Sequence, residues 1–214
     1  MSVQVRALIP NAITLLRLLV AVGFFVALAA GLGSEESIRF WGNLAVWMFI
    51  FAAVTDVIDG WLARRWKVVS VFGRVMDPVV DKVLVLGAFI FLAAPPFAAE
   101  GPGRLISALE PWMVVLILGR ELLVTSVRGV LESEGIPFGA DRWGKIKMFV
   151  QSVTVPVTLF VAVNELGRPG SKWTMWQDGL VWGTVVVTTL SAVPYALRGG
   201  RLLAKVERSK ESSR

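Results

Sequence analysis

Four aspartates carry the chemistry this sequence can offer: Asp56, Asp59, Asp77 and Asp81 stand beside long apolar runs, where charge is expensive and usually functional. On a helix, Asp56, Asp59, Gly60 and Ala63 fall at i, i+3, i+4 and i+7 and share one face. Gly73, Asp77 and Asp81 repeat at i, i+4 and i+8 and share another. A short basic connector joins the two segments, so antiparallel helices can bring the faces together. Four carboxylates at that range repel strongly in a low dielectric unless cations neutralise them. An all-oxygen ligand set suits Mg2+ or Mn2+, and two such ions about 4 Å apart make a site for phosphoryl chemistry. Arg64, one turn beyond Gly60, is placed to hold a phosphate oxygen beside the metals. Gly60 and Gly73 each cost about 1 kcal/mol relative to Ala inside a helix, which implies that something approaches the backbone closely. The plainer alternative pairs the aspartates with Arg64, Arg65, Arg74 and Lys82 as helix-end charges, and it leaves the two glycines unexplained.

Composition narrows the rest. The 214 residues include no cysteine and no histidine, which excludes disulfides, thiol nucleophiles, Cys/His zinc sites and histidine bases. Hydrophobic residues make up 55% and charged residues 18%, and mean hydropathy is +0.67, too apolar for disorder and unusual for a soluble domain. A net charge of +6 on so apolar a chain suits a membrane protein facing anionic headgroups and not a nucleic-acid binder.

The elements that must hold the aspartates are therefore membrane helices. Six stretches approach the roughly 20 apolar residues a bilayer requires, at about 12–31, 41–66, 74–94, 111–131, 144–164 and 176–198. The expected fold is an all-α bundle of six transmembrane helices, a single domain over 1–214. Fifteen Lys and Arg fall at the termini and the 2–3 and 4–5 connectors, against four on the opposite side. That asymmetry predicts cytoplasmic termini and a cytoplasmic active site in a multi-pass protein of the inner membrane. The N-terminus also fits a cleaved signal peptide, with Arg6 before an apolar run and Ala27-Leu28-Ala29 after it. Asn11, Thr14 and Arg17 at helical spacing on one face speak against it, because a discarded peptide needs no such face.

The stretch Asp56-x2-Asp59-Gly60-x2-Ala63-Arg64-x8-Gly73-x3-Asp77-x3-Asp81 resembles the signature of the CDP-alcohol phosphotransferases, with eight fixed positions across 26 residues. The resemblance implies an enzyme that moves the phosphatidyl group of CDP-diacylglycerol to an alcohol and releases CMP, using two divalent ions, Mg2+ or Mn2+. It further implies that Asp56, Asp59 and Asp77 are metal ligands. Asp81 is the general base in the family and a possible fourth ligand. Asn11, Thr14, Gly60, Ala63, Arg64 and Gly73 are implied on the CDP-lipid, Gly60 by leaving room for the nucleotide and Arg64 by binding phosphate. Homodimers are common in the family, so a homodimer is expected.

Basic residues of the later helices should read the alcohol. Arg120, Arg128, Lys145 and Lys147 could form a cationic pocket beside the aspartates, which suits an acceptor that is itself anionic. The same residues could equally be topology markers, with Arg120 paired to Glu121 or Glu132. Gly119-Arg120-Glu121, Arg128 and Trp143-Gly144-Lys145-x-Lys147, with the opening Ile9-Pro10-Asn11-x2-Thr14-x2-Arg17, resemble the bacterial phosphatidylglycerophosphate synthase branch. Its acceptor is sn-glycerol 3-phosphate, and its residues matching Arg120, Arg128 and Lys145 bind the acceptor phosphate. Asp141 and Met148 depart from the Ser and Thr of many members, which leaves inositol phosphate, inositol, serine or phosphatidylglycerol open as acceptors. From another class, a divalent-cation transporter would place its site nearer the midplane, and Arg64 and Arg74 would repel the entering ion.

Overall fold

The computed structural model describes residues 3–31, 35–66, 71–94, 97, 107–136, 142–164 and 171–211. Six α-helices run through them: α1 (Val3–Ala30), α2 (Glu35–Trp66), α3 (Val71–Leu92), α4 (Pro111–Ser133), α5 (Arg142–Val163) and α6 (Lys172–Glu211). No strand occurs among the described residues. Each expected apolar stretch lies on its own helix. The helices overrun those stretches, however: α1 begins at Val3, α2 at Glu35, and α6 continues to Glu211. Hydropathy detects the part of a helix that must avoid water, and its polar ends extend beyond that part.

Among the described residues, four helices contain segments long and apolar enough to cross a membrane: Asn11–Ala30, Glu36–Leu62, Trp143–Val163 and Lys172–Leu202. Helices satisfy their backbone polar groups internally, the condition a bilayer imposes. The other two, α3 and α4, carry the ionisable residues of interest, Asp77, Asp81 and Lys82 on one and Arg120, Glu121 and Arg128 on the other.

Helix α1 packs against α2 and α3, α2 against α5, and α6 against both α4 and α5. One cluster of buried apolar residues draws on all six helices, with Phe24, Phe49, Phe89, Ile117, Leu159 and Val181 among its fully enclosed members. Close approach is made with glycine: Gly42 of α2 receives Val163 of α5, and Gly87 of α3 receives the ring of Phe25 of α1. Between apolar helices in lipid, such small-residue contacts replace the hydrophobic drive that water would supply. Polar bonds add to them, as Asn43 and Asn164 exchange amide hydrogen bonds of 3.2 and 2.9 Å between α2 and α5. The hydroxyls of Thr154 and Thr184 meet at 2.8 Å between α5 and α6.

The end of α4 sets the direction of the chain towards α5. Gly135 adopts φ +74°, and the amides of Gly135 and Ile136 donate to the carbonyls of Glu132 and Leu131 at 3.0 and 2.9 Å. This pattern is a Schellman stop, closed by Ile136 packing beside buried Leu131.

Candidate active site

The two aspartate faces converge. Asp56 and Asp59 lie in the C-terminal part of α2, and Asp77 and Asp81 lie early in α3, one turn apart with Pro78 between them. The point on which all four converge is Arg17 of α1. Its Nη1 bonds to Asp56 and, at 2.8 Å, to Asp81 Oδ1; its Nη2 bonds to Asp59 and lies 3.4 Å from Asp77 Oδ1. Thr14, one turn earlier on the same face, donates from Oγ1 to Asp77 Oδ1 at 2.9 Å. Burial grades the cluster: the side chains of Arg17 and Asp59 are 1% and 6% exposed, whereas those of Asp56 and Asp77 are 35% and 39% exposed. The site thus has a closed floor and an open mouth.

Arg17 is the residue that sequence reasoning left outside the site. It was visible on the face shared with Asn11 and Thr14, but its partners lie 39 to 64 residues away, and no local spacing reports such a contact. Among the described residues no three acidic side chains are already set as a cage for an ion; the carboxylates fan around the guanidinium. Asn11 is half-buried on α1 and Gly60 half-buried next to Asp59. The side chains of Ala63 and Arg64 and the surroundings of Gly73 lie outside the described residues.

A second charged cluster joins α4, α5 and α6. Arg120 Nη1 donates to Glu121 Oε1 at 2.9 Å, its Nε donates to Ser191 Oγ at 3.1 Å, and its guanidinium lies over the ring of Tyr195, 5.3 Å from the centroid. Lys147 bonds to the same Glu121 oxygen from α5, and all three charged side chains are buried. Arg120 therefore pairs with Glu121, the more conservative of the two expectations for it. Among the described residues, its buried Nη2 nevertheless has no hydrogen-bond partner, and neither has the buried Nε of half-buried Arg128. Lys145 is exposed on α5. Of the two lysines expected to open α5 in the pocket, Lys147 and not the acceptor candidate Lys145 faces inward, since residues two apart on a helix point to nearly opposite sides. Lys82, next to Asp81, donates to Thr125 Oγ1 at 2.5 Å and ties α3 to α4 between the two clusters.

Residues 7–190, which include the aspartate cluster and all of the second cluster but Ser191 and Tyr195 and end midway along α6, match the family described as CDP-alcohol phosphatidyltransferase. The chain belongs to this family. It is similar to the CDP-diacylglycerol--glycerol-3-phosphate 3-phosphatidyltransferase of Bacillus subtilis, 34% identical over 157 residues that cover 71% of this chain and 76% of that one. An enzyme of the same name from Cereibacter sphaeroides is 32% identical over 184 residues, 82% of this chain and 75% of the relative. A probable phosphatidylglycerophosphate synthase of Mycobacterium tuberculosis is 36% identical over 146 residues, covering 68% and 62%. As a CDP-alcohol phosphatidyltransferase, the protein is an enzyme, and the aspartate cluster at the mouth between α1, α2 and α3 is its candidate centre.

Proposed function

We propose that this phosphatidyltransferase takes the phosphatidyl group of CDP-diacylglycerol and delivers it to sn-glycerol 3-phosphate, releasing CMP. The observation that carries the reading is the convergence of Asp56, Asp59, Asp77 and Asp81, from two helices, on one cationic point with an open mouth. A place where four carboxylates face a guanidinium is one that holds positive charge, and its donors are all oxygen, so the residues fit Mg2+ or Mn2+. Asp56, Asp59 and Asp77, with Asp81 beside them, would be the holders. When bound, two divalent ions supply neutralisation of the diphosphate and of the departing CMP.

The remaining work falls to side chains. The acceptor hydroxyl attacks the phosphorus next to diacylglycerol, a new P–O bond forms, and the bond from that phosphorus to the bridging oxygen of CMP breaks. Asp81, with its side chain 25% exposed, takes the hydroxyl proton on a carboxylate oxygen. Asp59, closed in at the floor, is shielded from the acceptor and suits a ligand's role. Thr14 fixes one oxygen of Asp77 by its hydrogen bond and so limits how that carboxylate turns.

An anionic acceptor is supported by the basic cluster beyond Lys82. Arg120 and Arg128 keep buried N–H groups without acceptors among the described residues, and a phosphate supplies acceptors of the right charge. Three of the relatives above also carry glycerol-3-phosphate or phosphatidylglycerophosphate in their names. The reading includes six membrane spans, an active site on the cytoplasmic side of the inner membrane and a homodimer, supported respectively by the six apolar stretches, the basic asymmetry and the family resemblance.

The test is purified protein with CDP-diacylglycerol and a panel of labelled alcohols, scored for lipid product and CMP with and without chelator. Chelator-sensitive transfer to glycerol 3-phosphate is the expected result. Equal use of serine or inositol would return the basic residues to a topological role.

A further inference from the structure

Arg17 is fully enclosed in a region of the chain that is apolar enough to cross a membrane, and an enclosed guanidinium is costly unless its charge is met. Here it is met fourfold, by Asp56, Asp59, Asp77 and Asp81. The converse is equally important. Three of the carboxylates crowd a mouth between α2 and α3, and the fourth is buried; without a cation among them their mutual repulsion would push those helices apart. The cation supplied from within the chain comes from the helix that packs against both α2 and α3. Among the described residues its buried Nε has no hydrogen-bond partner, so there the group is held by its charge partners.

We propose that Arg17 is a resident counter-cation: it holds the four aspartates assembled while the divalent ions are absent, and the ions must compete with it for the same oxygens. Arg17 is on this account a positioning residue that sets the metal affinity of the site and keeps the empty enzyme folded. The proposal rests on the two-ion reading above for the identity of the competitor. Its charge logic is specific. A carboxylate oxygen that donates its lone pairs to a guanidinium is engaged in a charge-assisted bond and must release it, or share it, before it binds a metal. Deleting the arginine should therefore raise metal affinity while lowering the stability of the metal-free protein, two effects of opposite sign from one substitution.

The experiment compares wild type with Arg17→Gln and Arg17→Lys in full-length protein in lipid nanodiscs. Mn2+ affinity is read from the free-ion electron paramagnetic resonance signal, and thermal unfolding is followed in chelator and in saturating Mn2+. R17Q should bind Mn2+ at least tenfold more tightly than wild type, unfold at a lower temperature in chelator, and recover most of that loss in Mn2+. R17K, which keeps the charge but not the fork, should fall between them. An R17Q protein that is obtained only with Mn2+ present and unfolds on chelation is the same outcome in stronger form. R17Q that binds Mn2+ no more tightly than wild type, or that loses equal stability with and without Mn2+, overturns the counter-cation role. Wild type that binds no Mn2+ at all overturns the two-ion reading itself, and this one with it.

Discussion

The four aspartates differ in what surrounds them, and their substitutions should differ accordingly. Asp59 is closed in beside Arg17, Asp56 and Asp77 stand at the mouth, and Asp81 is intermediate. Asp56→Asn, Asp59→Asn and Asp77→Asn should each abolish CMP release and weaken Mn2+ binding. Asp81→Asn should stop transfer while leaving CDP-diacylglycerol binding largely intact, because a lost base does not remove the nucleotide's anchors. Equal loss of CDP-lipid binding in all four variants would make Asp81 only another ligand. The second cluster yields a complementary contrast. Lys147→Met leaves Glu121 buried but still paired with Arg120, so the loss of one charge-assisted hydrogen bond should cost about 1.5–3 kcal/mol of stability in a thermal or denaturant scan. Lys145→Gln, on the exposed side of the same helix, should leave stability nearly unchanged. If Lys145 reaches the acceptor phosphate, the KM for glycerol 3-phosphate should rise about tenfold, the loss of one charge-assisted bond. The aspartates could be found in the sequence because their chemistry is tied to helical spacing. The choice between Lys145 and Lys147 could not, since both belong to one basic stretch and only the tertiary placement of α5, which brings Lys147 to Glu121, decides which turns inward.

At the scale of the helices, the apolar stretches were legible because a bilayer sets one length and one polarity for every span. Which helices touch was not, because in lipid the seams are marked by single small residues and not by an apolar stripe. Gly42 and Gly23 separate two kinds of seam. A Cβ at Gly42 would overlap Val163 Cγ2 and lie 2.9 Å from Cγ1, on a β-branched side chain with little freedom to turn. A Cβ at Gly23 would meet only the terminal methyl of Met48, whose long side chain can swing aside. Gly42→Ala should therefore destabilise the protein by about 1–3 kcal/mol, the range for overpacking, and Gly23→Ala by much less. Val163→Ala added to Gly42→Ala should recover part of the loss. A Gly42→Ala protein with wild-type unfolding would show that α2 and α5 are not held at this distance.

For the whole molecule, the orientation of the bundle decides whether the site meets its substrates. The 2–3 connector joins the helices that carry the aspartates, the 4–5 connector follows the helix that carries Arg120 and Arg128, and the proposed alternation of six spans puts both connectors at one end of the bundle. That end collects the basic residues: 15 Lys and Arg there and at the termini, against four at the other end. With positive charge retained inside, the proposed orientation puts those connectors in the cytoplasm. Water-soluble nucleotide and sugar phosphates reach a site in that compartment without crossing lipid. The chain has no cysteine, so single cysteines replacing Ser70, Ser133 and Ser37 report without background. Membrane-impermeant thiol reagents applied to intact cells should label the Ser37→Cys protein, at the start of α2, and should spare Ser70→Cys and Ser133→Cys until the membrane is opened. Labelling of either of the latter two from outside would invert the bundle. The aspartates, Arg17 and the basic cluster would then face a compartment in which neither a CDP-lipid headgroup nor its acceptor is presented, and the proposed transfer could not proceed there.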